Sequence, residues 1–443
     1  MEIKLSDHFD LRHLIRFVIP SVIMMVFTSI YGVVDGLFVS NYAGKDAFAA
    51  VNLIMPFPMI IGTLGFMFGT GGTAVVAKLL GQGKKEKANE VFSMLVKVLF
   101  MTGITASVLG IIFIRPIARL MGADDTLIDN CVLYGRLLLA FDVCLMLQSL
   151  FQSILVVAEK PKLGLFVTVA AGGVNMLLDW IFVGVFDFGV VGAALATGIS
   201  QAVGSGVPFI YFLRNNSSLL RIVRSKTDFR IISQTCINGS SELMTNVSLS
   251  LVNILYNRQL YRFVGVDGVA AYGVIMYVNF IFVSFFIGYS IGSSPLVGYN
   301  YGADNRSELK NLFKKSLGII AVSGVIMFAA AQLSAGLLAK IFVGYDETLY
   351  QITCNGFKLF SLAFILMGFN IFGSAFFTAL GNGPVSALIS FLRTLVFQIA
   401  AVLILPVFLK LNGIWMSELT AEIAALFVTI FFILKKKEKY HYL

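Results

Sequence analysis

The sequence is poor in charged residues and in histidine, and each shortage removes a class of function. Only 13% of its 443 residues are charged, whereas ordinary globular domains carry about a quarter. The mean hydropathy is +0.88. The three histidines, His8, His13 and His441, lie near the two ends, which excludes an HExxH metalloprotease and removes the commonest general base. We therefore expect a membrane protein that is not an enzyme.

The motifs of disulfide frameworks, zinc sites and nucleotide sites are also missing. The four cysteines, Cys131, Cys144, Cys236 and Cys354, have no CxxC spacing, so we interpret them as buried small residues. The glycine-rich stretch GTGGTAVVAK from Gly69 lacks the GxxxxGK[ST] order of a phosphate-binding loop. An ATP-driven pump is therefore not indicated.

Long apolar runs, in contrast, recur along the whole chain. A helix of about 20 apolar residues crosses the roughly 30 Å of bilayer hydrocarbon. We predict an all-α polytopic membrane protein with twelve transmembrane helices. The predicted spans are 14–40, 47–78, 91–113, 131–158, 163–186, 189–213, 231–257, 268–299, 315–336, 350–380, 384–409 and 413–434.

The basic residues are distributed unequally between the two sides of these spans. The formal net charge is +9, and of the 33 Lys and Arg residues 22 fall on one side, 7 on the other and 4 in the interior of spans, with Arg16, Lys78 and Lys315 at span ends counted with the loops beside them. The four within spans are Lys97, Arg136, Lys358 and Arg393. An excess of Lys and Arg marks the cytoplasmic side of a membrane protein. We expect both termini in the cytoplasm and no nucleic-acid partner.

The two halves of the chain are related by an internal repeat. Residues 47–92 align without a gap to residues 268–313, and Gly71 matches Gly292 while Gly81 matches Gly302. The offset spans six crossings, an even number, so both halves have the same orientation in the membrane. Parallel repeats of this kind occur in secondary transporters that move two bundles around a central site.

This repeat predicts the domain organisation. We expect an N-terminal six-helix lobe over residues 1–213 and a cytoplasmic linker over 214–230. A C-terminal six-helix lobe over 231–434 and a basic cytoplasmic tail over 435–443 follow.

Two carboxylates lie deep in the predicted spans. An Asp at the centre of a membrane helix costs about 2.5 to 3.5 kcal/mol, so Asp35 and Asp179 are candidate functional residues. Asn175 lies four residues before Asp179, on the same helical face. Their oxygens suit a small cation or a proton. Two alternatives stay open: Asp35 as a solvated residue at the outer end of its span, and Asp179 as the cap of a helix break.

Several motifs together resemble those of the multidrug and toxic compound extrusion (MATE) family. They are Asp35 in the first span, NMLLD with Asn175 and Asp179, GVVGAALATGISQ from Gly189, and the paired segments that end in GQG and YGA. The resemblance covers essentially the whole chain. It implies an antiporter in a bacterial cytoplasmic membrane that exports amphipathic organic cations in exchange for sodium ions or protons.

The resemblance also implies where ion coupling occurs. The cation site of the family falls on Asp35, Asn175, Asp179 and Thr197, which would hold H⁺ or Na⁺ as the coupling ion with no other cofactor. Two nearby carboxylates repel each other when both are ionised, and a proton or Na⁺ relieves that repulsion. In the repeat Asp35 corresponds to Tyr256. We therefore expect coupling to be concentrated in the first half.

Substrate contacts are harder to predict. Glu242, near the start of the seventh span, could contact a cationic substrate or face the cytoplasmic vestibule. Met55 and Met276 occupy matching repeat positions, and Tyr289 matches an aromatic residue. Such side chains suit flat cations, although at helical spacing they are more often core or lipid contacts. We retain all four as possible substrate contacts.

Two further acids, Glu418 and Glu422, share one face of the last helix. Arg393 and Lys358 are the basic residues within reach in neighbouring spans. We predict a structural ion pair at this position.

The sequence also has to be weighed against competing functions. A flippase for lipid-linked saccharides or lipids, from the same superfamily, would favour clustered Arg and Lys in the cavity, whereas the deep charges here are mainly acidic. An integral-membrane enzyme or a receptor lacks any supporting motif. We expect small organic cations and the lipid bilayer as partners, and a monomer.

Overall fold

The computed structural model describes residues 3–42 and 45–443, and the regular structure of these residues is helical. We number the long helices α1 to α12. The first six are α1 Leu11–Tyr42, α2 Pro56–Gly81 preceded by a short helix Lys45–Ile54, α3 Lys85–Leu120, α4 Ile128–Val157, α5 Pro161–Asp179 with a π-helical extension Trp180–Val185, and α6 Gly189–Leu213.

The second half repeats this order. It contains α7 Phe229–Val264, α8 Val266–Gly302, α9 Arg306–Val343, and α10, which comprises Glu347–Phe360, a single 3₁₀ turn Ser361–Ala363, and Phe364–Ala379. Helix α11 comprises Gly383–Phe391, the π-helical turn Leu392–Phe397 and the first part of Gln398–Tyr440; α12 is the remainder of that segment.

The prediction of twelve transmembrane helices is confirmed, with two features that composition alone obscures. In the described residues ten helical segments are long and apolar enough to cross a membrane. One of them, of 58 residues, contains both α11 and α12. These are two helices, because Lys410 has non-helical backbone angles (φ 50°, ψ −132°) and separates them. Helix α7 is long enough at 36 residues but too polar for that set, and it packs against α2 and α11.

Prolines set several helix starts. Pro161 and Pro384 lie in the first turn of α5 and α11, and Pro56 begins α2 directly after Met55. A proline is favoured there because its missing N–H has no partner in the helix and its φ is already helical. The predicted second span is consequently two helices that meet at Met55.

Each lobe has its own apolar core. In the first lobe, aromatic rings of α3, α4 and α6 meet, with the centroids of Phe92 and Phe212 at 4.9 Å and those of Phe151 and Phe212 at 5.9 Å. In the second lobe, Tyr256 stacks on Tyr272 at 5.0 Å. Close packing of such rings contributes van der Waals cohesion within each bundle.

Repeat-matched glycines let α2 and α8 approach each other across the two lobes. A Cβ added to Gly81 would lie 2.0 Å from the Tyr299 carbonyl oxygen, and one added to Gly302 would lie 2.2 Å from the Lys78 carbonyl oxygen. The repeat makes these two contacts equivalent, because Lys78 and Tyr299 are also matched positions. Only glycine permits backbones to come this close.

The second matched pair makes the neighbouring contacts between lobes. A Cβ on Gly71 would lie 2.1 Å from the Thr235 carbonyl oxygen of α7, and one on Gly292 would lie 3.1 Å from the Val18 Cα of α1. The repeat thus builds an interface with two equivalent halves, α2 on α7 and α1 on α8.

The N-terminal segment from residue 3 and the C-terminal segment lie at the same end of the molecule as these contacts. The backbone N–H of Leu5 donates to Glu159 of the first lobe at 2.6 Å, and that of Phe9 donates to Glu308 of the second lobe at 3.0 Å. The ring of Tyr442 packs on Phe313 at 5.1 Å. We call this region, where the chain ends and the matched glycines hold the lobes together, the closed end.

Candidate cation site in the first lobe

Three helices bring the four predicted coupling residues together. Asp35 lies on α1, Asn175 and Asp179 lie on the last turn of α5, and Thr197 lies on α6. The Thr197 hydroxyl donates to an Asp35 carboxylate oxygen at 3.5 Å. Asp35 also interacts at close range with the side chains of Asp179 and Asn175. Residues that are far apart in sequence therefore form one cluster, which we call the α1–α5–α6 site.

The site has more oxygen acceptors than donors. Asp179 and Asn175 are buried, with 0% and 1% of their surface exposed. In the part of the chain that the structure describes, neither Asp179 carboxylate oxygen has a hydrogen-bond partner, and the same holds for the Asn175 amide oxygen. Buried acceptors without donors are costly and rare. These oxygen atoms can therefore hold a proton or a small hard cation, which prefers oxygen ligands.

The backbone around Asp179 does not support a capping role. Asp179 has ordinary helical angles (φ −60°, ψ −46°), and the chain continues without interruption into the π-helical turn Trp180–Val185. Such turns widen a helix locally and are frequent at functional sites. Asp35 likewise lies inside α1, which continues for seven more residues to Tyr42. Both carboxylates thus belong to continuous helices.

Two tyrosines border the site and were not predicted from the sequence. Tyr134 of α4 is 1% exposed and lies within the electrostatic influence of both Asp35 and Asp179. Tyr31, one turn before Asp35 on α1, also interacts with that carboxylate. A tyrosine in a membrane helix breaks no compositional rule, so no pattern singled these residues out.

The four possible substrate contacts do not share one environment. Tyr289 is 2% exposed, donates its hydroxyl to Ser316 at 2.8 Å and packs within the apolar core. Met55 lies at the break before α2, and Met276 is half-buried on α8. Glu242 is half-buried on α7 and interacts with Arg393. Glu242 is therefore the one of the four that combines partial access with a charge.

The predicted ion pair in the second lobe is confirmed for Glu422. Arg393 Nε lies 2.7 Å from Glu422 Oε1, and the Asn370 amide donates to the other carboxylate oxygen at 2.6 Å. Glu418 has a different partner, since it accepts a hydrogen bond from Gln398 at 2.6 Å.

No cluster in the described ranges suggests a heavier metal. Among those residues there is no group of three or more His, Cys, Asp or Glu side chains that could hold a metal ion. Two carboxylates with an amide and a hydroxyl offer oxygen ligands of the kind that hard cations take.

Comparison with known proteins gives the family. The model of the MatE family matches residues 20–181 and again residues 243–404. The multidrug export protein MepA of Staphylococcus saprophyticus is 25% identical over 417 residues, which cover 91% of this chain and 88% of that protein. MepA of Staphylococcus aureus is 24% identical over 420 residues, with 93% and 90% covered.

Solved structures show the same fold. A crystal structure of MATE in complex with MaL6 has a TM-score of 0.92 at 24% identity, with 98% and 97% of the two chains covered. An outward-facing MATE transporter of the MOP superfamily gives 0.92 at 23% identity, with the same coverage. The double match and these likenesses together place the chain, a multi-pass membrane protein, in the MatE family of multidrug and toxic compound extrusion transporters.

Proposed function

We propose that the protein is a proton- or sodium-coupled antiporter that exports amphipathic organic cations across the bacterial cytoplasmic membrane by alternating access. The family and the two MepA relatives, which are named as multidrug export proteins, support export of such compounds. The cluster of Asp35 and Asp179 with its unpartnered oxygens supports ion coupling.

The coupling step rests on the two carboxylates. When both are ionised they repel each other, and a proton on either one or a Na⁺ between them removes that repulsion. Asn175 and Thr197 supply a neutral amide oxygen and a hydroxyl at the same place. The site can therefore exist in a loaded form and an empty form that favour different arrangements of α1, α5 and α6.

Helix α1 connects this site to the interface between the lobes. Its outer half carries Asp35, while its inner half contacts α8, where a Cβ on Gly288 would lie 2.6 Å from the Val22 Cα. The Ser29 hydroxyl also reaches the Phe280 carbonyl oxygen of α8 at 3.4 Å. A change in α1 driven by ion loading would thus act directly on the contacts that hold the lobes together.

The charge distribution gives the orientation that we propose. The closed end carries both chain ends and the basic loops, so the positive-inside rule puts it in the cytoplasm. The conformation described here is then closed towards the cytoplasm. We propose that it is the state from which substrate leaves and the coupling ion enters.

The test uses purified protein in vesicles preloaded with ethidium, with either a proton gradient or a sodium gradient imposed. We expect one gradient to drive ethidium transport, and we expect Asp35→Asn and Asp179→Asn each to lower the initial rate at least tenfold. Asp187→Asn, at an exposed acid in the loop after α5, is the matched control and should transport like the parent protein.

Two results would contradict the proposal. Undiminished transport in both variants would show that the α1–α5–α6 site does not couple ion movement to transport. An absence of gradient-driven transport for ethidium and for a panel of other organic cations, in protein that is correctly inserted, would remove the substrate class.

A further inference from the structure

A lateral groove lies on the outside of the first lobe, away from the α1–α5–α6 site. It has a volume of about 660 Å³ and is walled by α3, α6 and the segment that links the two lobes, and Leu147 of α4 also lines it. Phe100 of α3 and Phe209 of α6 line it and are 47% and 38% exposed. Since both helices cross the membrane, this apolar wall faces lipid.

The linking segment forms the cytoplasmic rim of the groove because it is fastened to α3. The backbone N–H of Arg221 donates to the Asn89 side chain at 2.9 Å, and that of Val223 donates to the Ser93 hydroxyl at 2.8 Å. These bonds place residues 222–225 beside the helix turn that precedes Lys97. The groove therefore has an apolar wall at membrane depth and a polar backbone at its rim.

Two cations line this rim. Lys97 and Arg224 are both exposed, and neither forms a salt bridge with any acid in the part of the chain described. No Asp or Glu is among the lining residues of the groove. Lys97 is one of four basic residues in the interior of predicted spans, and a Lys there is expensive unless its ammonium group reaches a polar or anionic partner.

We propose that this groove binds an anionic phospholipid of the cytoplasmic leaflet, with its headgroup phosphate on Lys97 and Arg224 and an acyl chain along Phe100 and Phe209. Basic pockets between membrane helices on the cytoplasmic side suit anionic headgroups. A free phosphate would use the cations but not the apolar wall, and a zwitterionic lipid would use the wall but gain less from two cations. The bound lipid would also hold the segment between the lobes against α3.

The experiment is native mass spectrometry of the full-length protein in detergent, titrated with dioleoyl phosphatidylglycerol or with dioleoyl phosphatidylcholine. We expect one phosphatidylglycerol to bind at low concentration and phosphatidylcholine to bind at least tenfold more weakly. Lys97→Gln combined with Arg224→Gln should weaken phosphatidylglycerol about 30-fold, as expected for two basic contacts to an anionic headgroup. Lys226→Gln, at an exposed lysine of the same segment outside the groove, should bind like the parent protein.

A second variant tests the apolar wall without touching the charges. A Cβ on Gly206 would have no atom within 4 Å, so Gly206→Leu can fold normally while it fills part of the groove. We expect it to weaken phosphatidylglycerol at least fivefold, and we expect glycerol 3-phosphate, which lacks acyl chains, not to compete. Equal binding of both lipids, unchanged binding in the double variant or in Gly206→Leu, or full competition by glycerol 3-phosphate would each overturn the proposal.

Discussion

The closed end offers the sharpest prediction, because two glycines there tolerate no side chain. A Cβ on Gly81 would lie 2.0 Å from the Tyr299 carbonyl oxygen, and one on Gly302 would lie 2.2 Å from that of Lys78. Real Cβ atoms essentially never approach a heavy atom closer than 3.0 Å. The backbones of α2 and α8 would therefore have to separate by about 1 Å at either contact to accept alanine.

The free-energy cost follows from the nature of the clash. Extra methyl groups in a well-packed contact typically cost about 1–3 kcal/mol. Only the conformation with α2 against α8 pays this cost, so the ratio of closed to open molecules should fall about 5- to 150-fold. Because the two contacts are equivalent in the repeat, Gly81→Ala and Gly302→Ala should have similar effects.

Cysteine labelling measures this shift. Ala77, fully buried on α2, faces α8, where a Cβ on Gly298 would lie 3.1 Å from its own Cβ. We would place a cysteine at Ala77 after replacing the four native cysteines with alanine, and label with a water-soluble maleimide. Gly81→Ala and Gly302→Ala should raise the labelling rate at least fivefold.

The matched control is Gly318→Ala on α9, where an added Cβ would have no atom within 4 Å. It should leave labelling unchanged. If the parent protein, Gly318→Ala and Gly81→Ala label at the same rate while all three remain folded by size-exclusion chromatography, the matched glycines do not control closure and the reasoning is refuted.

Three further predictions concern single contacts. Thr197→Val removes the hydroxyl that donates to the α1 carboxylate and should raise the coupling-ion concentration for half-maximal efflux several-fold, whereas Thr197→Ser should not. Arg393→Met leaves Glu422 buried without its cation and should cost about 3–5 kcal/mol of stability, seen as a lower midpoint of thermal unfolding that Arg393→Met combined with Glu422→Leu largely restores. Glu308→Gln weakens the hold on the N-terminal segment, and labelling at the Ala77 position should rise two- to fivefold; no rise would show that this segment does not help to close the lobes.

The fold could be predicted from the sequence because lipid imposes a length and a composition on every crossing helix. The predicted span 189–213 coincides with α6, which begins at Gly189 with φ +52° and ends before Arg214. The predicted span 47–78 is two helices, because apolarity records contact with lipid and not continuity of the backbone. Helix α7 matches the predicted span 231–257, although its composition is too polar to mark it as a membrane helix on that criterion alone.

The site was only partly predictable, for a related reason. Asp35 and Asp179 stand out because a carboxylate in a membrane helix is expensive, and their helical positions suggested that Asn175 accompanies them. Tyr134 also interacts with both carboxylates but carries no such cost. Tyr289 was suggested by alignment of the repeat, which identifies an equivalent position but not the direction in which the side chain points.

The two halves of the repeat differ in how their polar residues are satisfied, and this difference predicts where coupling occurs. Asp35 corresponds to Tyr256, whose hydroxyl donates to Gln398 at 3.0 Å. Gln398 lies on α11, the helix that the repeat matches to α5, which carries Asn175. Gln398 in turn donates a hydrogen bond to Glu418 at 2.6 Å, so Tyr256, Gln398 and Glu418 form a hydrogen-bonded series.

In the second lobe each acceptor in this hydrogen-bonded series therefore has a donor, whereas in the described residues of the first lobe neither Asp179 oxygen has one. A satisfied network gains little from a bound ion, and an unsatisfied one gains much. Glu418→Gln preserves the size of the side chain and should retain gradient-driven efflux within about twofold, while Asp179→Asn should lose it. If Glu418→Gln abolished coupling and Asp179→Asn did not, the coupling ion would bind in the second lobe, and the shortage of donors in the first would need another cause.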